Sequence, residues 1–224
     1  KDKDAHGLGF NIGAMFKPTD KLGVGIAYRS NVDASANKGD VTWSNVPEGI
    51  KHNVPFNTDK WKTVLPLPSE FTFGLSYKVL PQLEVFGDLV WQNWTRYKSL
   101  DITLYNDASN TFYTSSSEKN WKDNTLIRFG AEYTFNDLIV GRVGYYHDQS
   151  PVPGAYWSSE TPSSNLNSFS AGVGFRLQSG FNVDLFGSYV QGEERTVNNI
   201  EQNFQGDVKM RAINFGVGVS YNLK

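Results

Sequence analysis

Apolar and polar residues alternate with a period of two along most of this 224-residue chain. The alternation is clearest near the C-terminus, where apolar side chains occupy every odd position from Ile213 to Tyr221. A period of two places successive side chains on opposite faces of a β-strand, whereas an amphipathic helix needs a period of 3.6. The pattern therefore predicts an all-β chain whose strands each have one apolar and one polar face.

The alternation divides into nine strands within a single domain, and the connections between them alternate between short and long. The predicted strands, a to i, cover 7–17, 22–36, 69–78, 83–105, 122–135, 138–147, 167–177, 181–191 and 208–223. Short turns follow strands a, c, e and g, and long polar loops lie near 37–66, 106–121, 148–166 and 192–207. These connections predict antiparallel hairpins with short turns at one end and long loops at the other.

Two architectures share such alternation, a soluble β-sandwich and a transmembrane β-barrel. The apolar face carries no charge, and one charge near a bilayer midplane would cost about 2–4 kcal/mol. The strand charges lie on the other face, at Arg29, Glu84, Asp88, Arg128, Glu132, Arg142, Arg176 and Asp184. Aromatic residues end the apolar face at the short turns (Phe16, Tyr77, Phe135, Phe175, Phe181, Tyr221) and toward the long loops (Tyr28, Trp91, Tyr145, Phe169, Tyr189). Two aromatic girdles favour the antiparallel barrel, and the sandwich is the alternative.

The composition excludes several classes of function. The chain has no cysteine, only three histidines and a net charge of −2, so thiolate metal sites, cysteine nucleophiles and a nucleic-acid partner are not expected. We expect no cofactor, no metal and no catalytic residue. His147, Asp148 and Ser150 are close in sequence, but a catalytic set must converge in space. A lipase-like barrel enzyme and a non-transporting binding protein are the alternative functions.

The strand count bears on completeness. Bacterial barrels have an even number of strands, short periplasmic turns and long extracellular loops. Nine strands would place the two ends of the chain on opposite sides of the membrane, so an odd number of further strands is expected upstream. Unpaired strand edges are not tolerated in lipid. The functional unit is therefore expected to contain more polypeptide than these residues.

Nine short segments carry a family resemblance, and they lie at 9–21, 24–30, 65–68, 73–77, 87–88, 91–94, 120–123, 129–133 and 146–153. In this order they resemble the FadL/TodX family of outer-membrane transporters. The resemblance implies a fourteen-stranded barrel in the outer membrane of a Gram-negative bacterium, plugged by an N-terminal hatch. This chain would supply the last nine strands, and the missing five agree with the odd number expected above. The resemblance also implies passive uptake of hydrophobic molecules, such as long-chain fatty acids or aromatic hydrocarbons.

Two sets of residues are candidates for contact with such a ligand. In the loop near 37–66, at a position where the resemblance implies a first binding groove, the candidates are Trp43, Val46, Ile50, Val54, Phe56 and Trp61. Alternatively, these side chains only pack the loop onto the barrel rim. The lumenal candidates are Phe86, Val90, Trp94, Arg128, Arg142, Arg176 and Phe186. The apolar members would contact a hydrophobic passenger or the missing hatch.

The lumenal arginines have two interpretations. A guanidinium can bind the carboxylate of a fatty acid through two parallel hydrogen bonds. Alternatively, the arginines pair with carboxylates of the barrel itself, at Asp88, Glu132, Asp148 or Asp184.

Overall fold

A computed structural model describes residues 5–49, 55–177 and 180–221, and most of them lie in β-strands. The strands are β1 Asn11–Phe16, β2 Leu22–Arg29, β3 Val32–Asp40, β4 Lys60–Leu67, β5 Glu70–Leu80, β6 Leu83–Gln92, β7 Ser99–Asn106, β8 Thr111–Glu118, β9 Asn124–Thr134, β10 Ile139–Asp148, β11 Leu166–Arg176, β12 Phe181–Gly192, β13 Arg195–Asn199, β14 Phe204–Val208 and β15 Arg211–Tyr221. Short 3-10 turns occupy Trp94–Arg96 and Gly154–Tyr156. The all-β prediction is confirmed.

Nine strands form one antiparallel sheet, which we call the main sheet. Its order is β1-β2-β5-β6-β9-β10-β11-β12-β15, and each of the nine predicted strands has one counterpart in it. Neighbours in the sheet are also neighbours along the chain once the inserted strands are set aside, as expected for successive hairpins. Strands β1 and β15 are the two edges.

The two faces of the main sheet differ in chemistry. Directly paired residues of antiparallel strands share a face, so one face collects the row Ile139, Phe175, Val183 and Val219. Side chains on this apolar face remain exposed, with Phe215 84% and Val217 71% accessible. No second sheet covers them in the described part of the chain. The sandwich alternative is therefore wrong.

The structure differs from the sequence prediction where strands b and d were expected to run long. Strand β2 ends at Arg29, and β6 ends at Gln92. The chain then enters a second, four-stranded sheet of order β3-β4-β7-β8, which we call the minor sheet. Because strands of both sheets alternate with a period of two, the pattern alone does not mark the bend between them. Regions predicted as loops contain β4, β8 and the β13–β14 hairpin.

Polar contacts fasten these insertions to the main sheet. Arg96 donates from Nη1 to the carbonyl of Leu67 at 2.8 Å and pairs through Nη2 with Asp33 at 2.9 Å. Arg195 donates to the carbonyl of Val152 at 3.1 Å and to Ser150 Oγ at 3.2 Å, which joins β13 to the loop after β10. Burial lowers the pKa of the Arg195 guanidinium. A small core beneath this hairpin contains Val152, Trp157 and Val197.

Candidate functional site

Charged residues of the polar face of the main sheet form ion pairs with one another. Asp88 on β6 is the direct cross-strand partner of Arg128 on β9, and Arg128 Nε lies 2.5 Å from Asp88 Oδ1. Both side chains remain partly exposed, so the pair contributes modestly to stability. It does neutralise both charges within the polar face.

Arg142 on β10 is the centre of a larger network. Its Nε lies 2.7 Å from Glu132 Oε2 and its Nη1 lies 2.5 Å from Asp184 Oδ1. Arg176 reaches the second oxygen of Glu132 at 3.5 Å. The pairing interpretation of the three lumenal arginines is thus confirmed for Asp88, Glu132 and Asp184. Asp148 instead accepts a hydrogen bond from Asn124 Nδ2 at 3.2 Å.

Two phenylalanines of the polar face lie open between these charges. Phe86 is 40% accessible and Phe186 is 52% accessible. Phe186 is paired with glycine on both sides, and a Cβ on Gly216 would overlap its ring. Phe86 is paired with Gly130, where a Cβ would make only ordinary van der Waals contact with the ring, 3.8 Å from its Cδ2. The sequence prediction placed both rings on this face, as the register does.

Two other lumenal candidates are placed differently. Val90 is on the polar face but only 2% accessible, so it has almost no surface for a ligand. Trp94 was expected on a strand, but β6 has ended and Trp94 begins a 3-10 turn. There it packs on Trp121 with ring centroids 4.7 Å apart, and Tyr97 lies 4.9 Å from Trp121. The predicted strand position of Trp94 is wrong because β6 ends at Gln92.

Four of the six loop candidates lie within the described residues, at Trp43, Val46, Phe56 and Trp61. Trp43 packs edge-on against Phe56 at 5.9 Å and donates from Nε1 to the carbonyl of Thr58 at 3.0 Å. Trp61 lies on β4, where its indole covers Gly39. Val46 is half-buried, and Ile50 and Val54 lie outside the described residues.

Sequence reasoning missed an apolar face on the minor sheet. Cross-strand pairing puts Trp61 beside Leu104 and Leu104 beside Tyr113, with Leu65 and Ile102 on the same side. Leu65, Ile102 and Tyr113 are exposed. The signal was present, since apolar residues alternate through 61–67 and 100–104, but those positions were assigned to a loop and to the end of strand d.

The three residues that suggested an enzyme form their side-chain hydrogen bonds with other partners. His147 Nδ1 lies 3.0 Å from Asn167 Oδ1. Ser150 Oγ contacts Ser163 Oγ at 2.7 Å and accepts from Arg195. A serine nucleophile needs a histidine within hydrogen-bonding distance, and Ser150 has other partners. The lipase-like alternative has no support in this region.

Comparison with known proteins gives consistent matches over almost the whole chain. Residues 1–223 match the family model described as outer membrane protein transport protein (OMPP1/FadL/TodX). The chain is 26% identical over 222 residues to the long-chain fatty acid transport protein of Salmonella typhi, covering 96% of this chain and 49% of that protein. The corresponding Escherichia coli K12 protein is 25% identical over 221 residues, and the match covers 96% of this chain and 48% of that protein.

Two solved structures show the same fold. A Pseudomonas aeruginosa FadL homologue superposes with a TM-score of 0.74 at 21% identity, covering 94% of this chain and 50% of that one. The toluene transporter TodX of Pseudomonas putida gives a TM-score of 0.66 at 18% identity, and the match covers 97% of this chain and 49% of that one. The chain spans about half the length of the curated relatives it matches.

Proposed function

This chain belongs to the OMPP1/FadL/TodX family of outer membrane transport proteins, and we propose that it forms part of a channel for the passive uptake of hydrophobic small molecules. It is an outer-membrane protein of a Gram-negative bacterium, in a family of transporters and not of enzymes. Relatives are named for long-chain fatty acids and for toluene. We propose ligands of these two chemical classes.

The observation that carries the proposal is the open pair of phenylalanines on the polar face. A water-filled porin lines its lumen with polar groups, whereas Phe86 and Phe186 each expose a large part of a ring there. The ring of Phe186 lies against Gly216, where a Cβ would overlap it. We infer that these rings contact a hydrophobic passenger, or the hatch that precedes it.

A first capture surface is proposed at the long-loop end. The Trp43–Phe56 pair and the apolar face of the minor sheet together expose aromatic and aliphatic side chains outside the main sheet. Exposed apolar surface of this kind marks sites of interaction with apolar partners. Trp61 and Leu104 extend that surface along the minor sheet. We propose that a dilute hydrophobic molecule adsorbs here before it enters the lumen.

We do not assign the head group of a fatty acid to the three arginines as they stand. Each already donates to a carboxylate of the polar face, and an incoming carboxylate would have to displace that partner. Arg128, Arg142 and Arg176 are therefore proposed as wall residues that a ligand passes. Contact with a ligand head group would require the pairs to open.

The free edges imply further polypeptide in the functional unit. Strands β1 and β15 each have one neighbour in the main sheet, and an open edge cannot face hydrocarbon because its backbone groups would lack hydrogen bonds. We propose that additional strands of the same protein pair with both edges and that a hatch contacts the polar face. The half-length coverage of the relatives supports this proposal.

Uptake by the whole protein in cells tests the proposal. We would measure initial rates with radiolabelled oleate and radiolabelled toluene for Phe186→Ser, Trp43→Ala and the control Phe204→Ala, which removes an exposed ring from the β13–β14 hairpin. Phe186→Ser should lower the maximal rate for at least one compound. Trp43→Ala should raise the half-saturating concentration about two- to tenfold, because an aromatic contact contributes roughly 0.5–1.5 kcal/mol.

The control variant Phe204→Ala shows whether the loss of any exposed ring affects uptake. Phe204→Ala should leave both parameters unchanged at equal protein levels in the membrane. If the wild-type protein passes glucose as readily as toluene and neither variant has an effect, the hydrophobic channel is the wrong function.

A further inference from the structure

The apolar face of the main sheet changes character abruptly toward the long loops. Its last hydrophobic row is Tyr145, Phe169, Tyr189 and Ile213, joined by direct cross-strand pairing. The next row, two residues along each strand, is His147, Asn167, Gln191 and Arg211. We call this second set the polar row. Four adjacent strands thus turn polar at the same level and on the lipid-facing side.

The level of the polar row matches the edge of the hydrocarbon. Along β12 the hydrophobic residues of this face run from Phe181 to Tyr189. Eight residues span about 27 Å of strand at 3.4 Å each, and a tilt of about 40° reduces this to about 21 Å across the membrane, close to the roughly 25 Å band of such barrels. Gln191 is one step beyond, which places the polar row among the head groups of the outer leaflet.

Hydrogen bonds already organise one half of the polar row. Tyr145 Oη donates to Asn167 Oδ1 at 2.7 Å, and His147 Nδ1 lies 3.0 Å from the same oxygen. These contacts fix the imidazole and leave its Nε2 without a contact among the described residues. The aromatic ring of Tyr145 also packs on Phe169 at 5.1 Å, so the hydrophobic row below is rigid where it meets the polar row.

The other half of the row carries an uncompensated cation. Arg211 and Gln191 are both exposed, and Arg211 has no ion pair within the described ranges 5–49, 55–177 and 180–221. The acids one step higher are engaged elsewhere, since Glu193 accepts from Asn165 at 2.8 Å and Glu194 pairs with Lys209 at 2.9 Å. Arg211 and Gln191 are direct cross-strand partners, and the guanidinium and the side-chain amide both offer N–H donors suited to a phosphate.

We propose that the polar row binds the phosphorylated glycolipid of the outer leaflet, with a lipid A phosphate on Arg211 and Gln191. The acyl chains lie along the hydrophobic row beneath, over Tyr189 and Ile213. Basic residues at the membrane surface next to an apolar wall recognise anionic head groups in this way. The site is on the lipid-facing wall, and the interaction is independent of any molecule in the lumen.

Native mass spectrometry of the whole protein tests the proposal. The delipidated protein is placed in nanodiscs of phosphatidylethanolamine that contain 5 mol% diphosphoryl lipid A, which is on the order of ten lipid A molecules per disc. The fraction of protein molecules that retain lipid A is then measured. Arg211→Ala should lower the apparent affinity about fivefold, the factor equivalent to the roughly 1 kcal/mol that a basic residue contributes near an anionic surface. Arg211→Lys should retain most of it, and Lys21→Ala, an exposed cation at the short-turn end, should retain all of it.

Competing lipids separate the sources of the phosphate. Monophosphoryl lipid A should bind more weakly than the diphosphoryl form, and phosphatidylglycerol should compete poorly. Equal retention by Arg211→Ala and the wild-type protein would overturn the site. Equal competition by phosphatidylglycerol would overturn the assignment to a glycolipid. Should Arg211→Ala fail to insert, Gln191→Ala gives the same comparison with an uncharged substitution.

Discussion

A single arginine placed on opposite faces of one strand distinguishes a lipid-facing wall from any other explanation of the alternating pattern. Val173 lies on the apolar face of β11, in a row with Leu185 and Val217. This row is halfway between the aromatic ends of that face on β12, Phe181 and Tyr189. It lies about 10 Å across the membrane from each of these two residues, which places it near the midplane of a roughly 25 Å band.

The two substitutions should change the free energy of unfolding by clearly different amounts. Val173→Arg should lower the free energy of unfolding by about 2–4 kcal/mol, because the guanidinium must enter hydrocarbon near its centre. Ser170→Arg, three residues earlier on the same strand, faces the polar side with Arg142 and Asp184. Since that side is hydrated, Ser170→Arg should change the free energy by less than about 1 kcal/mol.

Reversible urea unfolding of the whole protein in phosphatidylcholine vesicles, followed by tryptophan fluorescence, measures both values. The two variants add the same charge to one strand, so the change in net charge cancels in the comparison. If Ser170→Arg is as destabilising as Val173→Arg, or more so, the apolar face does not face lipid. In that case the assignment of the two faces must be reversed.

Three further outcomes follow from the contacts. Arg142→Ala should reduce uptake of oleate and of toluene by the same factor, because its guanidinium is paired with carboxylates; selective loss of oleate uptake in a transport assay would show a head-group contact instead. Gly216→Ala should lower the free energy of unfolding by about 1–2 kcal/mol, and Phe186→Ala should remove that cost in a double-mutant cycle, unless the ring finds another rotamer. Burial raises the pKa of Tyr97 above its usual 10.0, so the folded state keeps this proton longer and stability should fall as the pH rises above 10. Tyr97→Phe should flatten that fall in urea titrations at pH 9 to 11, and an unchanged slope would exclude Tyr97 as the cause.

The main sheet was predictable because its rule is local. Alternation fixes which side chains share a face, and the short turns fix which strands are neighbours. Two of the ion pairs follow from the same register, since Asp88 with Arg128 and Glu132 with Arg142 are direct cross-strand partners. The strand order and the alignment of one row of residues are therefore enough to predict which opposite charges pair on the polar face.

The minor sheet was not predictable from the same rule. Its strands alternate as those of the main sheet do, so a bend after Arg29 or Gln92 leaves no break in the pattern. What ends β6 is the turn Trp94–Arg96, and what fixes that turn is the packing of Trp94 on Trp121. Contacts between residues so far apart in sequence are invisible to a local pattern. The predicted strand position of Trp94 was wrong for this reason.

Glycine on the polar face connects the predictable features to the hidden ones. Arg142 on β10 reaches Asp184 on β12 by crossing the strand between them, β11. It passes Gly174, where a Cβ would lie 3.1 Å from Arg142 Nη1 and 2.5 Å from Asp184 Oδ1. A side chain at that position would block the bridge, although glycine weakens a strand. The alternating glycines thus make room for side chains that lie flat across the sheet, a guanidinium in one row and the ring of Phe186 in the next. These glycines therefore allow one face to hold both the charges and the open aromatic surface of the proposed lumen.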